Sequence, residues 1–225
     1  MLSLKNKIVV ITGGSGKLAS FLIKPLLACN TKVLLIGRNT ERLNALIEKY
    51  SNENLECFQC DLTNEKSVEE LVGNINKKYK KIDIIINCVG AWYAGEVEEE
   101  SSYNMQELLN SNVLSIGIFY KHTKLVLAKS SFGQILNVIS VAANEPSHKW
   151  MLYSAAKAAV KNLSQSVRQE SQSSKLRVMD IYPSAMSMTK NEWAMSYMET
   201  VNSILFMLMQ PKDVVIENLK ISKLR

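Results

Sequence analysis

The chain has 225 residues, of which 47% are hydrophobic and 21% charged, with a formal net charge of +6. That length can bury a core of its own within one domain, and the composition is that of a globular protein rather than a disordered or fibrous one. The basic residues are scattered, and the densest run, Lys77, Lys78, Lys80 and Lys81, reads as the solvated end of a helix, so neither nucleic acid nor a membrane surface is an expected partner.

Taken in chain order, short β-rich apolar runs alternate with longer amphipathic stretches. The predicted strands are Ile8–Ile11, Lys32–Ile36, Leu55–Gln59, Ile82–Asn87, Gly133–Ile139, Leu176–Ile181 and Val215–Ile221; the predicted helices cover 17–29, 40–50, 64–79, 101–129, 150–172 and 197–209. Asn39 or Thr40 starts the second helix, and Thr63 or Asn64 the third. Continuous apolar strands are expected to be covered on both faces. Repeated βαβ units with right-handed crossovers then give an α/β fold, a doubly wound parallel sheet of about seven strands, as one domain over 1–225. Ligands of such sheets bind at the carboxyl ends of the strands, near the switch in strand order. The longest apolar run, Ile204 to Met209, is far shorter than the roughly 20 residues that span a bilayer. No signal-peptide pattern precedes the first strand, so a cytoplasmic protein without a membrane partner is expected.

The first predicted strand runs into Thr12-Gly13-Gly14-Ser15-Gly16-Lys17-Leu18-Ala19 and then a helix. Glycines let a backbone turn sharply against a pyrophosphate, and a helix N-terminus offers free N–H groups and the positive end of its dipole. In that context the turn is a dinucleotide-binding signal. The second strand ends Ile36-Gly37-Arg38-Asn39 with no acid at hand. An acid there would hold the 2′-hydroxyl of NAD, whereas an arginine grips the 2′-phosphate of NADP. NADP(H) is the expected cofactor.

Four cysteines occur, Cys29, Cys57, Cys60 and Cys88. Cys57 and Cys60 make a C-x-x-C, but no second pair completes a zinc site and the pair falls on a predicted strand rather than a helix start. They are read as reduced packing thiols, and no metal is expected.

Later motifs bring the chain close to a known family. Tyr153-Ser154-Ala155-Ala156-Lys157 matches Y-x-x-x-K, Ser140 ends a predicted strand 13 residues before Tyr153, Asn112 lies on a helix, Asp61-Leu62 follows the third strand, Asn87-Cys88-Val89-Gly90 stands for N-N-A-G, and Pro183-Ser184 stands for Pro-Gly. In this order they resemble the short-chain dehydrogenase/reductase family, over nearly the whole chain and in its short, single-domain Rossmann-type form. The resemblance implies that Tyr153 exchanges a proton with the substrate oxygen, that Lys157 lowers the Tyr153 pKa and binds the nicotinamide ribose, that Ser140 holds the substrate oxygen, and that Asn112 positions a proton-relay water. It implies cofactor contacts from Gly13, Ser15, Gly16, Lys17, Leu18, Arg38, Asn39, Asp61, Leu62, Asn87, Val89, Gly90, Tyr153, Lys157, Pro183, Ser184, Met186 and Thr189. The match departs from the family in the first turn, where T-G-x-x-x-G-x-G places Lys17 and Ala19 at glycine positions. A shifted register uses Gly13, Gly16 and Ala19. It departs again at Met188, the usual carboxamide-binding threonine, so that either Ser187 or Thr189 takes that role.

The stretch 183–198, with Met186, Met188, Trp193 and Met195, is expected to form a substrate lid, faced by Trp92, Tyr93, His148 and Trp150; His148 is read as a loop residue. The expected activity is NADPH-dependent interconversion of a small-molecule ketone or aldehyde with an alcohol, a 3-oxoacyl thioester being one such substrate. The alternative is a non-catalytic NADP-binding or scaffold subunit. The small residues Ala155, Ala156, Ala158 and Ala159 suit close helix packing, and a homodimer or homotetramer is expected.

Overall fold

The computed structural model describes residues 2–174, 176–188 and 192–224. Seven strands form one parallel sheet: β1 (Ile8–Thr12), β2 (Lys32–Gly37), β3 (Leu55–Gln59), β4 (Ile84–Asn87), β5 (Gln134–Val138), β6 (Arg177–Pro183) and, after two short strands, β9 (Asn218–Ile221). Their order across the sheet is β3-β2-β1-β4-β5-β6-β9. The order reverses between β1 and β4, which places the crevice at their carboxyl ends.

Strand side chains alternate between two cores. On one face Val9, Ile11, Val33, Leu35, Ile84 and Ile86 pack under α1 (Lys17–Ala28), α2 (Thr40–Tyr50) and α7 (Tyr197–Leu208). On the other, Ile8, Val10, Leu34, Ile36, Ile85 and Ile135 pack under α3 (Glu65–Tyr79), α5 (Ser115–Leu127) and α6 (Met151–Glu170). This two-sided burial is why the strands read as unbroken apolar runs.

The predicted helix over 101–129 is two helices, α4 (Ser102–Leu109) and α5, joined by a π-helical turn at Asn110–Leu114. Its cause is local. The Leu108 carbonyl accepts from the side-chain Nδ2 of Asn112 at 2.9 Å, and the same amide donates to Ala91 O, also at 2.9 Å. A side chain inserted into the i→i−4 ladder widens the turn, a distortion frequent at functional sites. The last strand is shorter than the predicted Val215–Ile221, because 208–214 wrap around buried Arg177. Its guanidinium donates to the carbonyls of Leu208, Gln210, Pro211 and Val214. After β6, strands β7 (Met186–Ser187) and β8 (Met195–Ser196) pair in parallel, an element no sequence periodicity announces.

Candidate active site

The glycine turn sits at the switch point, held from both sides. Gly14 N donates to Ile36 O of β2 at 2.7 Å, and Cys88 N donates to Thr12 O at 3.2 Å. Gly13 has φ +65°, and a Cβ there would lie 2.8 Å from Cys88 C and Val89 N. Only glycine allows both that conformation and that approach. Gly16 and Lys17 are exposed at the start of α1, Ser15 is half-buried, and Leu18 and Ala19 turn into the core. Helices α2, α3, α4 and α7 are each capped by an Asn or Ser side chain, whereas α1 begins at Gly16 with no side-chain cap and no acid in its first turn. Its first N–H groups and dipole thus suit an anion such as a pyrophosphate.

Arg38 and Asn39 follow β2 at the surface, and the Asn39 side chain caps α2 by accepting from Arg42 N. Asp61 lies within electrostatic reach of Arg38. Burial raises the Asp61 pKa, but hydrogen bonds from Thr63 and the Arg38 charge outweigh it and hold the carboxyl below its ordinary range. Leu62 is a core side chain. Asn87, expected among the cofactor contacts, is 5% exposed and spends its amide inside the sheet: Oδ1 accepts from Thr12 Oγ1 and Nδ2 donates to Asn137 Oδ1. The partners that claim its amide lie on the two neighbouring strands, far away in sequence. Cys57 and Cys60 have thiols pushed by burial to about 11, the opposite of a thiolate-favouring redox pair.

Across the crevice, α6 presents Tyr153 and Lys157 on one face, one helical turn apart. The Lys157 Nζ lies 5.6 Å from the Tyr153 ring centroid. The Ser140 hydroxyl lies close enough to the Tyr153 phenol to favour its charged form, and it also accepts from Ala142 N. Lys157 is 5% exposed, and its Nζ donates to Val138 O at a long 3.4 Å. Gly90, with φ +152°, closes the group: a Cβ there would lie 2.4 Å from Asn112 Oδ1 and 3.3 Å from Lys157 Nζ. Asn112 is fully buried, and its Oδ1 has no hydrogen-bond partner. An unpaired buried acceptor beside a buried ammonium is costly and marks a site built to hold something.

The electrostatics differ from expectation in one respect. Burial raises the Tyr153 pKa above the ordinary tyrosine value, opposed by the Ser140 hydroxyl, and the Lys157 charge is not among the groups that lower it. Burial also drives the Lys157 ammonium down to about 8. Both groups are disfavoured in their charged forms by the same desolvation, so the chain alone keeps the phenol protonated.

The remaining residues form the rim. Half-buried Val89 packs against the second core, and Pro183 ends β6 in the interior. Ser184 N donates to Ile221 O. Met186 is half-buried in β7, its sulfur accepting from Thr200 Oγ1. The expected lid is therefore pinned at both ends, by the β7–β8 pair and by Met195 N donating to Ala185 O. Met188 and Trp193 are exposed between these anchors, and Thr189 lies outside the described residues. Trp92 is exposed on the facing loop, which is tied to the His148–Trp150 turn by Gly95 N donating to Lys149 O. Among the described residues no helix is long and apolar enough to cross a membrane.

Comparison with known proteins agrees with this architecture. The family model for short chain dehydrogenases matches residues 7–199. An uncharacterized oxidoreductase of Staphylococcus haemolyticus is 26% identical over 185 residues, covering 81% of this chain and 79% of that protein. The crystal structure of serine dehydrogenase from Escherichia coli superposes with a TM-score of 0.88 at 23% identity, covering 95% of this chain and 96% of the other. The alcohol dehydrogenase of Thermococcus sibiricus, solved with 5-hydroxy-NADP, superposes at 0.89 with 21% identity and coverages of 98% and 97%. With the family model spanning most of its length and the glycine turn, Ser140, Tyr153 and Lys157 gathered at one crevice, the chain belongs to the short chain dehydrogenase family of oxidoreductases.

Proposed function

We propose that the protein is an NADPH-dependent reductase interconverting a ketone or aldehyde with its alcohol. The observation that carries the reading is the cluster of Tyr153, Lys157, Ser140 and Asn112. It contains a buried ammonium with one long backbone hydrogen bond beside an unpartnered buried carbonyl oxygen. When bound, the nicotinamide supplies the hydride. The chain's own residues manage the oxygen and its proton. Tyr153, whose phenol holds its proton at neutral pH, acts as general acid in reduction. Ser140 hydrogen-bonds the substrate oxygen as charge develops on it. Lys157 binds the ribose hydroxyls, and its low-pKa ammonium passes a proton toward Tyr153 through them. Asn112 Oδ1 accepts from a water that connects Lys157 to solvent.

Cofactor choice rests on the end of β2. Arg38 and Lys17 are exposed cations flanking the turn, and a 2′-phosphate suits them better than a bare hydroxyl. The partly apolar rim of Trp92, Trp150, Met188 and Trp193 fits an extended carbonyl substrate such as a 3-oxoacyl thioester. Exposed Leu114 and Leu125, with the small Ala155 on α6, favour a homodimer or homotetramer, to be read by light scattering. The scaffold alternative is not favoured, because a protein that only bound nucleotide would have no use for a tyrosine and a serine set beside the ribose-binding lysine.

The test titrates NADPH and NADH by fluorescence, then follows nicotinamide absorbance with ketones, aldehydes and 3-oxoacyl thioesters. Tighter binding of NADPH and its oxidation by at least one carbonyl class is the expected result. Tight binding without oxidation by any of them contradicts the reading.

A further inference from the structure

One register row of the buried sheet is polar across four strands. Thr12, Asn87, Asn137 and Asp180 are register partners on β1, β4, β5 and β6. Their side chains form a continuous chain of hydrogen bonds. Thr12 Oγ1 donates to Asn87 Oδ1 at 3.1 Å, Asn87 Nδ2 to Asn137 Oδ1 at 2.8 Å, and Asn137 Nδ2 to Asp180 Oδ1 at 3.1 Å. Every donor points the same way, toward Asp180, which is fully buried. There the chain meets α6. Ser164 Oγ donates to Asp180 Oδ1 at 2.5 Å and accepts from Asn137 Nδ2 at 3.0 Å, while Arg168 Nη2 donates to Asp180 Oδ2 at 3.2 Å.

The direction of this chain is not neutral. Asparagine amides can be turned end for end, so Thr12–Asn87–Asn137 has two self-consistent polarities. Only one presents N–H groups to residue 180. A carboxylate accepts at both oxygens and donates at neither, so it selects that polarity, and in a dry interior each bond polarises the next. We infer that Asp180 is a positioning residue: its charge fixes the amide orientation of the row and thereby joins the glycine turn to the catalytic helix. At one end, Thr12 immediately precedes Gly13, whose backbone lies in close contact with that of Cys88. The Thr12–Asn87 bond therefore sets the spacing of the two strand ends that flank the turn. At the other end, Ser164 and Lys157 lie seven residues apart on α6, two turns on one face, so the anchor of one seats the other. The link to catalysis rests on the function proposed above; the orientation of the row does not.

Asp180→Asn preserves shape and removes the charge. Whichever way the new amide faces, its NH2 opposes either Arg168 or the donors Asn137 and Ser164, so the row loses its single polarity. The orientation is read from the side-chain amide signals of 15N-asparagine-labelled protein without nucleotide, assigned by Asn87→Ser and Asn137→Ser. The expected wild-type result is one sharp pair of signals for each of Asn87 and Asn137. In Asp180→Asn those pairs shift or split while other asparagine signals stay, and NADPH binds about tenfold more weakly, the order of one charge-assisted hydrogen bond. Unchanged Asn87 and Asn137 signals overturn the inference, as do altered signals with unchanged NADPH affinity in a chain that binds NADPH.

If Asp180→Asn gives no cooperative melt, acid titration of the wild type decides. The groups facing Asp180 are Arg168 from α6 and Tyr182 from its own strand, with Glu217 reached through Arg168. Burial raises the Asp180 pKa, so the Asn137 and Asn87 signals should move together, with a common midpoint above that of ordinary aspartates. Failure of the two to move together overturns it. A wild type that bound no nicotinamide would instead end the proposed function and leave the amide result standing.

Discussion

Replacing Lys157 with methionine should make the nucleotide-free protein more stable while removing its activity. Burial lowers the Lys157 pKa from 10.5 to about 8. At about 1.4 kcal/mol per unit, holding that ammonium protonated in the fold at neutral pH costs about 3 kcal/mol. The side chain is 5% exposed, so water screens little of this. Its one long bond to Val138 O returns only part of it. Methionine has similar length and carries no charge, so the expected gain is about 2–3 kcal/mol, or very roughly 4–12 °C in Tm for a chain of this size. The sign also gives a pH signature. The folded state binds this proton less tightly than the unfolded chain, so the wild type gains stability as pH rises from about 8 toward the unfolded value near 10.5. Below pH 8 the full penalty is present, and Lys157→Met lacks this rise. Calorimetry at pH 7 and pH 10 on both proteins, without nucleotide, reads the difference. A methionine variant no more stable than wild type at pH 7 would refute the account of Lys157 as a group held in place for function against its own solvation.

Two further outcomes follow from the geometry. Gly13→Ala forces a Cβ to within 2.8 Å of the Cys88–Val89 backbone at φ +65°. The left-handed conformation alone costs about 1–2 kcal/mol, and the variant should melt lower and lose measurable NADPH binding by fluorescence. Arg38→Ala should weaken NADPH by about tenfold to a hundredfold, the weight of one or two charge-assisted bonds to phosphate, and leave NADH within about twofold; equal losses for both would remove Arg38 from 2′-phosphate recognition.

The fold was largely legible because its strands are buried on both faces, which leaves unbroken apolar runs such as Val9–Ile11 and Val33–Ile36 that a half-exposed sheet would not show. Tyr153 and Lys157 were legible for a different reason: a spacing of four on a helix settles that they share a face before any tertiary contact is known. What was not legible depended on partners far away in sequence. The π turn at Asn110–Leu114 exists because Asn112 bonds Ala91 O as well as Leu108 O, and no local propensity reports that. Asn87 stands out in the sequence as the start of the N-N-A-G match and proves to be one rung of a ladder whose other members, Asn137, Ser164 and Asp180, are each unremarkable alone. The acidifying effect of Lys157 on Tyr153 that the resemblance implies is opposed, in the nucleotide-free fold, by the desolvation that both groups share.

In the proposed reaction a single phenol, that of Tyr153, delivers the proton to the substrate oxygen that Ser140 holds, while Lys157 and the glycine turn bind cofactor. Tyr153→Phe removes that hydroxyl and little else. NADPH affinity within about twofold of wild type, together with loss of at least about three orders of magnitude in kcat on any carbonyl the wild type reduces, is the predicted result. Turnover by the phenylalanine variant at a rate near that of wild type would remove Tyr153 from the proton transfer.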